Sequence, residues 1–433
     1  MTETFELFRL ITGTVALPLS DMPMVVWSSR ANDLALSLST LGFRKQAVQV
    51  SKLAHNILQK PAERNSTFCR YFLATTFATM SECIAGVGPM EEALGYIESS
   101  VKICRPLAMV CPEAFNSYLA FTLNRMSDRL SDMGRMGEAL ESIEEAVIIM
   151  RSIAKDNSAD SRSDLASSLS SLSDRLSDMG RRKEALERIE EAVEISRSLA
   201  ELGTRTFRSD LAKSLSNLSI RLVDMGKKDK ALESIKEAVT IRRALAKSKS
   251  RTYNHFIAEP LHNMSVLLSD MDRVKESLES AEEAVGMYRW LAKERPSIFN
   301  LELASSLNVL SNRLFDVGRR KEALTCSKEA LQILRPLAKQ DAYSYDLATL
   351  LYNLSLNQRR YNAIEEALSA ISESSALFEK LAEISPDAFS EDFADALQMH
   401  RECLIDAGRH EEAREIERKE ASVRNTVKEV VCR

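Results

Sequence analysis

The chain has 433 residues, of which 45% are hydrophobic and 28% charged, and this balance excludes an intrinsically disordered chain. Its net charge of −5 gives no broad attraction to a polyanion, so nucleic acid is not an expected partner. Glycine (13) and proline (10) are scarce beside Leu, Ala, Glu and Arg, which favours helix throughout.

The first 21 residues include the mildly apolar stretch FELFRLITGTVALPL. Glu3 and Glu6 stand where a secretory leader would be basic, so none is expected. Phe5, Phe8 and Ile11 fall near the register of a second hairpin helix, so residues 1–21 read as a truncated repeat. No run of about 18 apolar residues occurs, which predicts no spanning helix and no membrane partner. The seven cysteines are odd in number and contain no CxxC pair, which points to reduced thiols and a cytoplasmic location.

From residue 22 the chain repeats itself. Gly42, Gly88, Gly134, Gly180, Gly226, Asp272, Gly318, Asn362 and Gly408 follow one another at 46 residues, with a single step of 44. Taking these as position zero, apolar residues recur before them at −15, −11, −8 and −4, as in Leu165, Leu169, Leu172 and Leu176. After them they recur at +5, +9, +12, +16 and +19, as in Ala139, Ile143, Ala146, Met150 and Ile153. Steps of three and four give each helix one apolar stripe. The glycine stops the first helix in a left-handed cap, and Glu138, Glu184 and Glu322 at +4 open the second. Pro112, Pro296 and Pro386, all at +24, mark the link to the next unit. The expectation is an all-α solenoid of nine helix-turn-helix repeats over residues 22–422. The more polar stretch 411–433 closes it as a capping helix.

Small residues decide which helical repeat this is. The spacing small–x6–G–x4–A–x6–A occurs at Ser173, Gly180, Ala185 and Ala192. It returns at Ser127, Gly134, Ala139 and Ala146, at Ser219, Gly226, Ala231 and Ala238, and at Ser311, Gly318, Ala323 and Ala330. This resembles the tetratricopeptide repeat, and the resemblance covers nearly the whole chain. It implies a right-handed superhelix whose first helices line a concave, protein-binding side. The period departs from the usual ~34 residues by about a dozen, placed where one hairpin joins the next. The wording SLSSLSDRLSDMGRRKEAL also resembles long-period arrays of fungal and actinobacterial proteins. Those arrays accompany NACHT or NB-ARC ATPases or CHAT domains, which implies an alternative role as a detached sensor array. No GxxxxGK[ST] phosphate loop is present, nor length left for either domain. Kinesin light chains use lengthened repeats as well.

Repeated charges have bland readings. Arg105, Arg151, Arg197, Arg243, Arg289 and Arg335, at +17, read as ion-pair partners of Asp164, Asp210, Glu302 and Asp346 on the following helix. Arg129/Asp132, Arg175/Asp178, Arg221/Asp224 and Arg313/Asp316 are i,i+3 surface pairs. Met133, Met179, Met225 and Met271, at −1, read as core filler, and Trp27 and Trp290 as packing residues.

By the same resemblance the inward positions of the first helix are −13, −10, −9, −6 and −3. They place Asn124, Ser170, His262, Asn308 and Tyr352 at −10, Arg125, Asn217, Asn263 and Asn353 at −9, and Asp128, Asp174 and Asn312 at −6. Asn32, Ser216 and Gln398 at −10 and Glu402 at −6 complete the rows. Carboxamides both donate and accept, so such a row can hold an extended peptide backbone, although a solvated polar surface gives the same pattern. The clamp for chaperone C-termini is missing, because no unit has a basic residue at −10 and Asp128 and Asp174 repel a carboxylate. His255, Glu259 and His262 are the one metal-like cluster, but Pro260 reads as a helix start that moves His255 off the face. No catalytic constellation and no cofactor motif stands out. The function expected is a non-catalytic scaffold or adaptor with a protein or peptide partner.

Overall fold

Each described helix begins or ends at the turns that the 46-residue register sets. The computed structural model describes residues 22–63, 67–85, 88–156, 158–246, 255–338, 344–384 and 386–431. Phe5, Phe8 and Ile11 lie outside them. The helices are α1 (Met22–Thr40), α2 (Arg44–Glu63), α3 (Thr67–Ile84), α4 (Met90–Val110), α5 (Pro112–Asp132), α6 (Met136–Ile153), α7 (Ala159–Asp178), α8 (Arg182–Ala200), α9 (Arg205–Asp224) and α10 (Lys228–Ala246). They continue with α11 (His255–Asp270), α12 (Val274–Glu294), α13 (Pro296–Asp316), α14 (Arg320–Leu337), α15 (Ser344–Arg360), α16 (Ile364–Ile384), α17 (Pro386–Asp406) and α18 (His410–Val431). No strand occurs among the described residues. The sequence reads as one continuous array, whereas the chain packs as two compact units, Met1–Ser248 with α1–α10 and Lys249–Arg433 with α11–α18. Within each unit every helix packs on the next, and each odd-numbered helix also touches the odd-numbered helix after it, α3 and α5 through the rings of Tyr71 and Tyr118. The fold is therefore an all-α helical-repeat solenoid.

The hairpin turn is a Schellman cap. Gly180 N–H donates to Ser177 O at 2.8 Å and Arg181 N–H to Leu176 O at 2.8 Å, with Gly180 at φ +73°. Asp272 (φ 57°) and Asn362 (φ 58°) hold the same left-handed position. Both side chains tolerate it better than other non-glycine residues do. Gly88 alone lacks a positive φ, and there a Cβ would meet Ile84 Cγ2 at 2.8 Å. Pro112 and Pro296 sit in the first turn of α5 and α13, where the missing N–H costs nothing.

Small side chains bring the paired helices together. Ser173 and Ser311, at −7, donate to the carbonyls of Ala185 (2.8 Å) and Ala323 (3.0 Å) at +5. A second contact, at −14 and +12, was not part of the sequence reading. There Ser100 donates to Ala74 O at 2.8 Å and Ser374 to Ala348 O at 2.7 Å. Every residue at −14, from Ser28 to Ala394, is an alanine or serine at most 3% exposed. In the last repeat Arg401 (−7) pairs with Glu420 (+12) at 3.1 Å instead. Between these contacts Leu123, Leu169 and Leu215 at −11 and Ile97, Ile143, Ile189 and Ile235 at +9 fill the core of the first unit.

Three readings of the sequence are corrected. Arg105, Arg151, Arg197, Arg289 and Arg335 do not pair with the following odd helix. They reach past it to Glu145, Glu191, Glu237, Glu329 and Glu373 on the next even one. An arginine at +17 points away from the hairpin seam, and its reach finds the acid at +11. Met179 is 44% exposed and Met225 and Met271 are only half-buried, while Met133, also half-buried, does pack against the core of the first unit. All four occupy the cap residue, at the edge of the core. Trp27 is 65% exposed. Trp290 does pack, against the core of the second unit.

Candidate protein-interaction groove

Positions −13, −10, −9 and −6 lie on one helix face because their spacings are three, one and three residues. In the first unit that face of α1, α3 and α5 lines a cleft of about 530 Å³. Helix α1 contributes Asn32, Asp33 and Leu36, α3 contributes Tyr71, Phe72, Thr75 and Glu82, and α5 contributes Tyr118, Phe121 and Arg125. The aromatic rings interlock, with Tyr71 and Tyr118 edge to face at 5.1 Å and Tyr118 and Phe121 at 5.7 Å. Phe121 is 44% exposed and Leu36 39%, so the apolar floor is open to a ligand. Phe121 and Arg125 also line a second cleft of about 300 Å³, with Asn124, Asp128, Asp164, Asp174 and Lys213. The two clefts thus join along the odd-numbered helices from α1 to α9.

The predicted site residues divide by what they bond. Asn124 sends its Nδ2 to Ser168 Oγ at 2.9 Å, and Asn32 does the same to Thr76 Oγ1 at 3.0 Å. Position −10 therefore ties one repeat to position −12 of the next. In both asparagines Oδ1 is buried without a hydrogen-bond partner among the described residues. Ser170 turns back onto Ala166 O in its own helix, and Asn217 is half-buried. Arg125 pairs with Asp128 at 3.4 Å and lies over the Phe121 ring at 5.4 Å. Asp174 pairs with Arg221 at 3.6 Å. Burial raises the carboxyl pKa of Asp128 and of Asp174, and the neighbouring arginines, Arg125 and Arg221 foremost, offset this only in part.

In the second unit the corresponding row is largely self-bonded. Asn353 donates to Asn308 at 3.4 Å and Asn357 to Asn312 at 2.7 Å, a carboxamide ladder between α13 and α15. His262 Nδ1 lies 3.1 Å from Ser306 Oγ, and burial lowers its pKa, leaving the imidazole neutral at pH 7. Asn263 and Tyr352 are half-buried beside them. Pro260 does not start a helix. It lies inside α11, which begins at His255, and the side chain of His255 lies outside the described residues. The buried thiols are poor nucleophiles at neutral pH, with burial raising Cys83 to about 11 and Cys104 to about 12.

Tyr71, Phe72, Tyr118 and Phe121 were absent from the sequence reading of the site. Their signal was present: the segments FCRYF and FNSYLAF concentrate aromatics in the first helices of the second and third repeats only.

The tetratricopeptide repeat family matches residues 165–201, 211–251 and 303–335. The anaphase-promoting complex subunit 5 family matches residues 68–161 and 243–313. No curated protein matches the sequence. Among solved structures the chain is similar to the apo form of RapI, with 14% identity and a TM-score of 0.55 over 93% of this chain and 98% of that one. It is also similar to the apo quorum sensor NprR from B. thuringiensis, with 11% identity and a TM-score of 0.53 over 91% and 98%. The Rap conjugation gene regulator of plasmid pLS20, in complex with the Phr* peptide, has 14% identity and a TM-score of 0.51 over 94% and 96%. At these identities the structures share the fold alone. With its repeat spacing and paired helices the chain is an all-α helical-repeat protein, and three of its segments match the tetratricopeptide repeat.

Proposed function

We propose that the protein is a non-catalytic interaction scaffold of the cytoplasm that holds an extended peptide or protein segment along the odd-numbered helices. The observation that carries this reading is the open groove of the first unit. It presents an exposed apolar floor, Phe121 and Leu36, beside the polar side chains of Asp33, Thr75 and Arg125. A bound segment supplies apolar side chains for the floor and a backbone for the polar groups beside it. The pLS20 Rap regulator, of similar fold, is described in complex with a peptide, which supports the same use here. No helix among the described residues is long and apolar enough to cross a membrane, and the net charge of −5 does not favour nucleic acid.

Random-peptide display against the purified protein tests the reading. Peptides should be enriched on the wild type and lost on a Phe121→Ala/Leu36→Ala variant. Enrichment that survives the double substitution, or no enrichment at all, would remove this groove as the site. The long-period wording favours a second reading, a sensor array that works with an ATPase or CHAT domain. A phosphate loop in adjoining coding sequence would support it.

A further inference from the structure

We infer that a second docking surface, separate from the groove, lies on the hairpin tips that join α7 to α8 and α9 to α10, and that it takes a short acidic segment of a partner protein. An open cleft of about 500 Å³ runs between the two tips, with Arg181, Arg182 and Lys183 on one side and Asp224 and Met225 on the other. Arg182, Lys183, Lys227, Lys228 and Lys230 are all exposed. Of these, Arg182, Lys183, Lys227 and Lys230 have no ion-pair partner among the described residues. The acids nearby are mostly engaged. Glu184 is held by Arg181 at 2.6 Å, Asp178 by Arg175 at 3.6 Å and Asp224 by Arg221 at 3.0 Å. That leaves Asp229 to oppose the free cations of the two tips.

The fifth repeat departs from its neighbours here. Elsewhere the tip closes on itself, the arginine at +1 clamping the glutamate at +4, as in Arg135–Glu138, Arg181–Glu184, Arg273–Glu276 and Arg319–Glu322. In the fifth repeat both positions are lysine, Lys227 and Lys230, so no clamp forms and both charges face solvent. Cations in the first turn of a helix oppose its dipole, so Lys228 and Lys230 do not serve α10 itself. The excess is also local, because the α3–α4 tip of the same unit carries exposed Glu91 and Glu92 instead.

The size of the patch sets the kind of partner. Packed helices stand about 10 Å apart, and an extended chain advances about 3.3 Å per residue, so three or four acidic residues in a row bridge the tips. A nucleic acid or an anionic bilayer runs past the patch and meets the exposed Glu190 of α8 and Glu233 of α10. No aromatic side chain lines the cleft to stack a base. Charge complementarity over so short a span favours an acidic peptide.

The test is fluorescence anisotropy with a labelled octapeptide that carries four consecutive Glu, beside matched peptides with Gln or Lys in their place. Phosphatidylserine vesicles and a single-stranded oligouridylate run as parallel arms. We expect the Glu peptide alone to bind, with an affinity that falls steeply as salt is added. Arg182→Gln/Lys183→Gln/Lys227→Gln/Lys230→Gln should weaken it about tenfold or more. A variant of equal charge change elsewhere, Lys45→Gln/Lys60→Gln/Lys102→Gln/Lys155→Gln, should bind within about twofold of the wild type. Lys230→Glu restores the acid that other tips carry at +4, so it should fold as well as the wild type by circular dichroism and still bind less. No binding of the Glu peptide, equal loss in the two quadruple variants, or unchanged binding by Lys230→Glu overturns the inference. Binding of the vesicles or the oligonucleotide in preference to the Glu peptide overturns it as well. Loss of the groove through Phe121→Ala/Leu36→Ala should leave this binding intact, which keeps the two sites distinguishable.

Discussion

Arg151 on α6 places one guanidinium nitrogen 2.9 and 2.7 Å from the two carboxylate oxygens of Glu191 on α8. The same step of 40 residues joins Arg105 to Glu145, Arg197 to Glu237 and Arg289 to Glu329. The even-numbered helices are thus tied to one another along their own face, as the odd-numbered ones are through position −10.

Both partners are roughly 35–46% exposed at the side chain, so the tie is weak. A double-mutant cycle on Arg151→Ala and Glu191→Ala should give a coupling of about 0.2–1 kcal/mol that shrinks in high salt. Thermal or denaturant unfolding of the four proteins measures it. A coupling above about 2 kcal/mol would mean the ladder, rather than the apolar seam, holds the repeats together.

The seam itself allows no added bulk. Ala146 is fully buried at +12, opposite the equally buried Ala120 at −14. Ala146→Leu should cost about 1–3 kcal/mol or more through displaced helices. Ile148→Leu, at a position 69% exposed two residues away, should change stability by less than about 0.5 kcal/mol.

The architecture was legible because the chain states it nine times. The left-handed cap, the −7/+5 contact and the apolar stripes are local consequences of spacing, so a glycine and two alanines suffice to place them. The +17 arginines were misassigned because a partner 40 residues away depends on how far one repeat stands from the next, which spacing does not contain. The groove was half legible. Inward positions −10, −9 and −6 were named, and Asn124, Arg125, Asp128 and Asp174 do line the clefts. The aromatic floor escaped because it breaks the repeat: Tyr71, Tyr118 and Phe121 have no counterparts in the serine-rich middle units. Residues that depart from a repeated pattern are where a repeat protein differs from its neighbours, and reading only the consensus passes over them.

The caps give a paired prediction. Asp272 and Asn362 sit at φ near +57° where other repeats have glycine. Asn362→Gly should leave stability unchanged or raise it slightly, whereas Gly180→Ala should cost about 1–2 kcal/mol. Chemical denaturation of the two variants reads both. A stabilising Gly180→Ala would contradict the cap geometry.

The groove carboxylates should cost stability where they are charged. Burial raises the pKa of Asp128 and Asp174 above the ordinary carboxylate value of 3.8. Their favourable contribution to folding is therefore complete only below pH 3.8 and is lost as pH rises through the folded-state values. Above the folded-state values both are ionised in a place that penalises charge. Asp128→Asn/Asp174→Asn should raise the melting temperature at pH 7 and lose that advantage below pH 3.8, the gain staying under about 1 kcal/mol because water screens both groups. A variant less stable than the wild type at pH 7 would show that the pairs with Arg125 and Arg221 outweigh burial.

The central claim is that ligand lies on the face made by positions −13, −10, −9 and −6 of the odd-numbered helices. Photo-crosslinking of a display-selected peptide carrying a benzophenone group, followed by mass spectrometry of the joined fragments, addresses it most directly. The account predicts crosslinks to α1, α3, α5 and α7, centred on Phe121. Crosslinks confined to the even-numbered helices, along the Arg151–Glu191 face, would contradict it.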